Sequence, residues 1–530
     1  METIVELLRE KAAQYPANRC LTYRHDGQRE QYSYVELLEQ SLRAASLLRA
    51  RGIERGDRIV IWGPNRPEWV FAYFGALLLG AIVVPFDTRA QESFLERIEG
   101  KTGPKLVVAG RTQQESAMLP HPPFLRLDTL VEEAGALPPA SDLPALGADD
   151  IAVLMYTSGT TGDPKGVILS HGNVTTNLLA VPEIIEIEPY FRVLSLLPLS
   201  HILEQVIGLH VLLTGGGSIV YIDTLRPATI FEAIAAEEIT MMICVPQLLQ
   251  LFMNGIEREV RRQGKERIWG LLHAVAGRLP FGLRRRLFPT IHRRLGGRFE
   301  FFVSGGAYLP PALAQRWENM GIKVLQGYGL TEASPIVSAN SLARRKLDSI
   351  GRQVSCVELR LAEDGEFLIR GPSVFKGYWQ DPEATAEAFA DGWYHTGDLG
   401  RRDEEGYLYY TGRKKNVIVL ANGMNVHAED VENALRATDL IVDAVVVAVE
   451  GADGAPEVHA LLAMEDPSKA DEVVRIANRT LAPHQQIRGQ TVWPDPDFPR
   501  THTLKVRRPE VERRMDEMGI QRVRQGAPAR

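Results

Sequence analysis

The sequence predicts an α/β protein with a large N-terminal domain of α/β layers and a small β-rich subdomain, followed by a small α+β domain at the C-terminus. Three observations carry this reading. Apolar, β-branched runs alternate with helix-period patterns through the first three hundred residues, as expected of layered helices and largely parallel sheets. Near residue 350 the texture changes to short strands joined by turns, and after Arg413 a fresh strand–helix–strand pattern begins. At 530 residues the chain is too long for one core. The domains fall at 1–412 and 416–530, with the boundary at 413–415.

The elements follow in order. METIVELLREKAAQYP has glutamates where a signal peptide has its basic region, and reads as a short amphipathic helix ending before Pro16. YVELLEQSLRAASLLRARG has apolar residues at helical spacing and Gly52 as its stop. RIVIWGP, AIVVPFD, LVVAG, VLMYTSG, VLSLLPLS and SIVYID are strand candidates. The uncharged run 69–86 is near the lower length limit for a membrane span, but Gly75, Gly80 and Pro85 interrupt it. It reads as a buried helix running into a buried strand. Residues 136–150 form a proline-rich loop. IGRQVSCVELRLAEDGEFLIRGPSVFKGYW and DEEGYLYYTGR read as strand-and-turn segments, with DG a hairpin signal. NVIVLANG, HAEDVENALRAT and VDAVVVAVEG then read as strand, helix and strand.

Composition excludes several classes. A content of 45% hydrophobic and 24% charged residues is ordinary for a globular enzyme. The net charge of −7 argues against bulk nucleic-acid binding, which needs a basic surplus. Cys20, Cys244 and Cys356 lie far apart with no CxxC pair, which argues against a disulfide framework and a zinc site and fits a reducing cytoplasm.

The chemistry centres on YTSGTTGDPKGV, residues 156–167. Amides of Gly159 and Gly162 can approach phosphate oxygens because no Cβ intervenes. Thr157, Ser158, Thr160 and Thr161 bring hydroxyls and Lys165 a positive charge. A Walker A loop is the competitor, but Pro164 stands at its glycine position and Gly166 at its magnesium-binding hydroxyl position. A flexible surface loop is the bland alternative.

This loop closely resembles the signature of the adenylate-forming superfamily, which includes acyl-CoA synthetases, peptide-synthetase adenylation domains and beetle luciferases. SGGA (304–307), QGYGLTEAS (326–334), YHTGDLG (394–400), GRKKNVIVLANGMNV (412–426) and PRTHTLK (499–505) follow in the family's order. The resemblance implies that the hydroxyl- and glycine-rich loop with Lys165 holds phosphates. Gly305, Gly306 and Ala307 would floor the adenine, Tyr328 would stack on it, Thr331 would bind phosphate and Glu332 would hold magnesium. Asp398 would accept hydrogen bonds from the ribose hydroxyls, assisted by Arg413, and Lys505 would be the adenylation lysine. Leu504 departs from the family's usual glycine before that lysine. The family pivot falls on Lys415, which makes the C-terminal domain mobile, and Gly423 falls on the thiol channel. In LPLSHILEQ, residues 197–205, His201 would border the acyl pocket, and the motif looks most like long-chain fatty acyl members.

Two segments stay open. VIGLHVLLTGGGSIVYI is apolar enough to line an alkyl tunnel or to be plain core. Residues 257–298 are basic and amphipathic; they suit either an anionic membrane surface or a solvated helical hairpin with a buried apolar face. The resulting expectation is an AMP-forming acyl-CoA synthetase for a medium- to long-chain fatty acid or another small carboxylic acid, using ATP, Mg2+ and coenzyme A. It would be cytoplasmic, with peripheral contact at a membrane surface as the alternative that 257–298 leaves open. The alternatives are acyl transfer to a carrier protein, ligation of an aryl acid, and a non-catalytic nucleotide- or acyl-binding module.

Overall fold

The computed structural model describes residues 1–88, 92–111, 123–157, 164–438, 440–451, 454–500, 506–520 and 522–523. The chain divides into two compact units. One comprises Met1–Glu358 and Arg370–Gly392, the other Leu359–Ile369 and Trp393–Arg530. The 413–415 boundary read from the sequence lies inside the second unit.

The first unit carries a six-stranded and a nine-stranded sheet. In the six-stranded sheet, Phe124–Arg126, Leu106–Ala109, Arg58–Trp62, Ile82–Phe86 and Ile151–Thr157 run parallel, and Lys165–Ser170 closes the edge as an antiparallel hairpin partner. The central strands are buried on both faces, which is why they read as unbroken apolar runs rather than alternating ones. In the nine-stranded sheet, six parallel strands from Arg19–His25 to Lys323–Gly329 are flanked by antiparallel edges.

Helix ends follow local chemistry. Ile4–Gln14 and Tyr34–Ala50 each start on a capping box, Thr3 with Glu6 and Ser33 with Glu36. The 69–86 run resolves into the helix Pro67–Leu78, buried along its length, and the strand Ile82–Phe86. Among the described residues no helix is long and apolar enough to cross a membrane. Gly75 permits this packing: a Cβ there would stand 2.9 Å from the Ala44 methyl and 3.0 Å from the Ala45 amide nitrogen of the neighbouring helix.

The basic segment is helical over Pro246–Arg262, Glu266–Arg278 and Pro289–Arg294. Phe252, Ala276 and Phe288 are in the core and Trp269 and Leu272 pack on it, whereas Ile268, Leu271 and Val275 are exposed. The apolar segment after His201 is buried through Val206, Leu209, Leu212 and Leu213 to the strand Ser218–Ile222.

In the second unit, Glu366–Arg370, Trp393–Arg402 and Leu408–Arg413 pair antiparallel, as the strand-and-turn reading expects. After Arg413 come the hairpin Val417–Val419/Asn425–His427, the helices Ala428–Arg436 and Ala470–Asn478, and a three-stranded sheet. Its strand Asp443–Glu450 serves two cores by strict alternation. Ala444 and Val446 pack with Val431 and Leu435; Val445 and Val447 pack with Trp493 and Met515. Val523 donates its amide to the Ala448 carbonyl at 3.2 Å, and Arg522 bridges to Val449, along the outer edge of the same strand.

Candidate active site

The signature loop joins two strands that pair antiparallel, Thr157 facing Lys165 and Tyr156 facing Gly166. Ser158, Gly159, Thr160, Thr161 and Gly162 lie outside the described residues, as does Lys505. What is described is the strand pair itself and the segment packed on it. The segment 375–379 docks on the hairpin: Ile168 donates to the Gly377 carbonyl, Trp379 to the Gly166 carbonyl, and Tyr378 bridges to Val167. The Lys165 ammonium lies 5.1 Å from the Tyr378 ring centroid, within cation–π range. The Tyr378 hydroxyl donates to Glu332 Oε1 at 3.4 Å.

Glu332 and Thr331 sit in the 3-10 turn Thr331–Ala333 that follows the strand Lys323–Gly329. The Phe375 amide donates to the Glu332 carbonyl at 2.7 Å, fixing this turn to the 375–379 segment. Gly329 is required where the strand ends, because a Cβ would collide with the Pro335 carbonyl oxygen. Tyr328 is half-buried opposite Ser338. Lys165 and Glu332, 167 residues apart in sequence, are thus joined through Tyr378.

A second group surrounds His201. Asn65 clamps the LPLSH loop from three sides. Its amide nitrogen donates to Ser195 Oγ at 2.9 Å and to the Leu197 carbonyl at 2.6 Å, and its oxygen accepts from the Leu199 amide at 2.8 Å. Gln205 donates to the Leu199 carbonyl at 2.7 Å. Behind the loop, Ser195 Oγ donates to Glu204 Oε1 at 2.5 Å. Burial pushes the Glu204 carboxyl up to about 8, against the smaller pull of that hydrogen bond. His201 Nε2 stands 3.7 Å from Asp87 Oδ2, and the Asp87 side chain is buried. Leu203 carries this group towards the 304–307 turn. A Cβ on Gly305 would meet nothing closer than 3.8 Å, with Leu203 among its nearest neighbours, and Gly306 has φ +80° with similar room. Ala307 is half-buried.

In the second unit, Asp398 and Arg413 face each other across antiparallel strands, and Arg413 Nε stands 2.8 Å from Asp398 Oδ1. Asp398 is buried while the Arg413 side chain is 43% exposed. Burial, and then the Asp398 and Glu429 carboxylates, push the neighbouring Tyr410 hydroxyl far above its usual range. Lys414 pairs with Asp364 at 2.6 Å and with Glu366 at 3.2 Å. Asn416 donates to Glu429 at 2.6 Å. Lys415 lies exposed between these two anchors. Gly423 occupies the tip of the hairpin Val417–Val419/Asn425–His427 with φ +79°.

Sequence reasoning missed Asn65, Asp87 and Tyr378. The last stands in a quoted turn segment, where an aromatic following glycine was the available signal. Asp87 is the lone acid closing an otherwise apolar strand. Asn65 carries no local signal.

A family model described as AMP-binding enzyme matches residues 8–379. The chain is 34% identical over 475 residues to a long-chain-fatty-acid–CoA ligase of Mycobacterium bovis, covering 80% of this chain and 76% of that one. It is 32% identical over 421 residues to a feruloyl-CoA synthase of an Amycolatopsis species, covering 76% and 77%. The solved structure of o-succinylbenzoate coenzyme A synthetase from Bacillus subtilis, in complex with ATP and magnesium ion, matches 96% of this chain and 99% of that one, with a TM-score of 0.76 at 25% identity.

Proposed function

The chain belongs to the AMP-binding enzyme family, and from that premise we propose that it is an AMP-forming acid–thiol ligase acting on a medium- to long-chain fatty acid. The substrate carboxylate attacks the α-phosphorus of ATP, giving acyl-AMP and pyrophosphate; the thiol of coenzyme A then displaces AMP. The observation that carries this reading is the junction of Lys165, Tyr378 and Glu332 beside the signature loop. An ammonium suited to phosphate charge and a carboxylate suited to a metal thus share one aromatic side chain, which supports the reading.

Glu332 fits magnesium. The ion keeps waters and phosphate oxygens and needs one or two protein carboxylates, and Glu332 offers one that is partly exposed and held by the Tyr378 hydroxyl at 3.4 Å. Bound there, magnesium would neutralise phosphate charge. The chain's own groups do the remaining work of placement. Lys165 and the loop 157–162 hold phosphates, and Thr331 adds a hydroxyl. Tyr328 and the open backbone at Gly305–Ala307 receive the adenine. Asp398, held by Arg413, takes the ribose hydroxyls, and Lys505 stabilises the adenylation transition state. Lys415 is the pivot between half-reactions, and Gly423 lines the thiol path.

The fatty acid reading rests on the LPLSH loop and the similarity to the M. bovis ligase. An aryl acid is the second reading, favoured by the feruloyl relative. We place the enzyme in the cytoplasm, touching anionic membrane through 257–298, where exposed Ile268, Leu271 and Val275 share a helix with Arg267 and Arg278. The deciding experiment is pyrophosphate release across fatty and aryl acids, with and without coenzyme A. Each methylene entering the site should raise specificity about fourfold, from ~0.8 kcal/mol of burial, until the pocket is full. Preference for benzoate over laurate and palmitate would replace the fatty acid with an aryl acid.

A further inference from the structure

Asp87 ends the strand Ile82–Phe86, and its surroundings hold it in place. Trp62 Nε1 donates to its carbonyl at 3.0 Å, and Ser200 Oγ donates to its carboxylate oxygen Oδ2 at 3.4 Å. The same oxygen faces His201 Nε2 at 3.7 Å. The partner is equally constrained, because His201 follows a loop that Asn65 and Gln205 clamp at Leu197 and Leu199. The His201 side chain keeps 29% exposure, whereas that of Asp87 keeps 5%. This is a fixed carboxylate behind a partly accessible imidazole. A spacing slightly beyond hydrogen-bond length is common in unliganded sites and tightens when substrate arrives.

We propose that Asp87 is a positioning residue that orients His201 as the base for acyl transfer to the thiol. A carboxylate facing Nε2 favours the tautomer protonated there and leaves Nδ1 as the basic nitrogen. The thiol proton passes to Nδ1. The sulfur forms a bond to the acyl carbonyl carbon, and the bond from that carbon to the adenylate oxygen breaks. AMP leaves with the electron pair. The imidazolium, stabilised meanwhile by Asp87, returns its proton to solvent. This rests on the ligase reading above, and the test separates the two.

Acyl-AMP formation from ATP and laurate is measured in a single turnover, and acyl transfer to coenzyme A from preformed lauroyl-AMP is measured separately. The wild type should perform both; failure at the first step would overturn the ligase reading itself. Asp87→Asn should lower transfer at least about tenfold more than it lowers adenylation, within the range for acid–base catalysis. In a His201→Ala background, Asp87→Asn should cost less than about twofold further, because residues acting through one another are not additive. Ser200→Ala, which removes a single hydrogen bond to the carboxylate, should cause a smaller loss of the same kind and serves if Asp87→Asn does not fold. Equal losses in both half-reactions, or an undiminished effect of Asp87→Asn without His201, would overturn the proposal.

Discussion

The Tyr378 hydroxyl donates to the Glu332 carboxylate at 3.4 Å. The same ring carries the Lys165 ammonium on its face, so one aromatic side chain sets the separation between the site's cation and its acid. If Glu332 is a magnesium ligand, Glu332→Gln keeps the shape and removes the charge. Adenylation should fall at least about a hundredfold, as loss of a charged transition-state contact does, and its dependence on magnesium should flatten. Tyr378→Phe should cost far less, about two- to tenfold, the scale of one hydrogen bond. A magnesium titration of both variants checks this; unchanged activity of Glu332→Gln at limiting magnesium would leave Glu332 a turn residue.

Lys505 carries a different expectation. Lys505→Ala should cripple acyl-AMP formation while leaving thioester formation from preformed acyl-AMP much less affected. Comparison of the two half-reactions decides the matter, and equal loss in both would remove the lysine from its assigned role.

The pH dependence of stability should bear the mark of Glu204. Its folded-state value, about 8, lies above the ordinary carboxylate value of 4.5, because burial penalises the charged form. The folded state therefore holds a proton that the unfolded chain has released. The stability this contributes is complete below about 4.5 and is lost as pH rises towards 8, after which it stays constant. Glu204→Gln has no such term. Melting temperatures from pH 5 to 9 should show the variant gaining on the wild type up to about pH 8 and then running parallel. Parallel curves throughout would mean that Glu204 is ionised in the fold.

Lys415 stands between two anchored neighbours, Lys414 paired to Asp364 and Glu366 on one side and Asn416 bonded to Glu429 on the other. Such a residue can absorb a change of dihedrals. Proline fixes φ, so Lys415→Pro should retain adenylation and lose thioester formation. Acyl-CoA production at the parent rate would refute the pivot.

The architecture was legible because burial on both faces writes unbroken apolar runs, as in Arg58–Trp62 and Ile82–Phe86. Motif spacing named Lys165, Glu332, Asp398 and Arg413 as candidates, because the motifs of the resemblance are local segments. The supporting residues were hidden for the opposite reason. Asn65 meets Ser195 across 130 positions, Asp87 meets Ser200 across 113, and Tyr378 meets Glu332 across 46. No local periodicity encodes such meetings. In the basic segment, amphipathic spacing announced helices but did not say that Trp269 and Leu272 would pack inward while Ile268 and Leu271 face out.

The pairing of Arg522 and Val523 with the strand Asp443–Glu450 bears on handling the protein as a material. An unpaired strand edge is a template on which another chain can add. Here the tail occupies that edge at Ala448 and Val449, in the manner of a bead closing a seam. Trimming the chain before Arg522, as a crystallographer tidying a terminus would do, should leave catalysis intact at first. It should also shorten shelf life, with turbidity and high-mass species growing faster on storage than in the untrimmed chain.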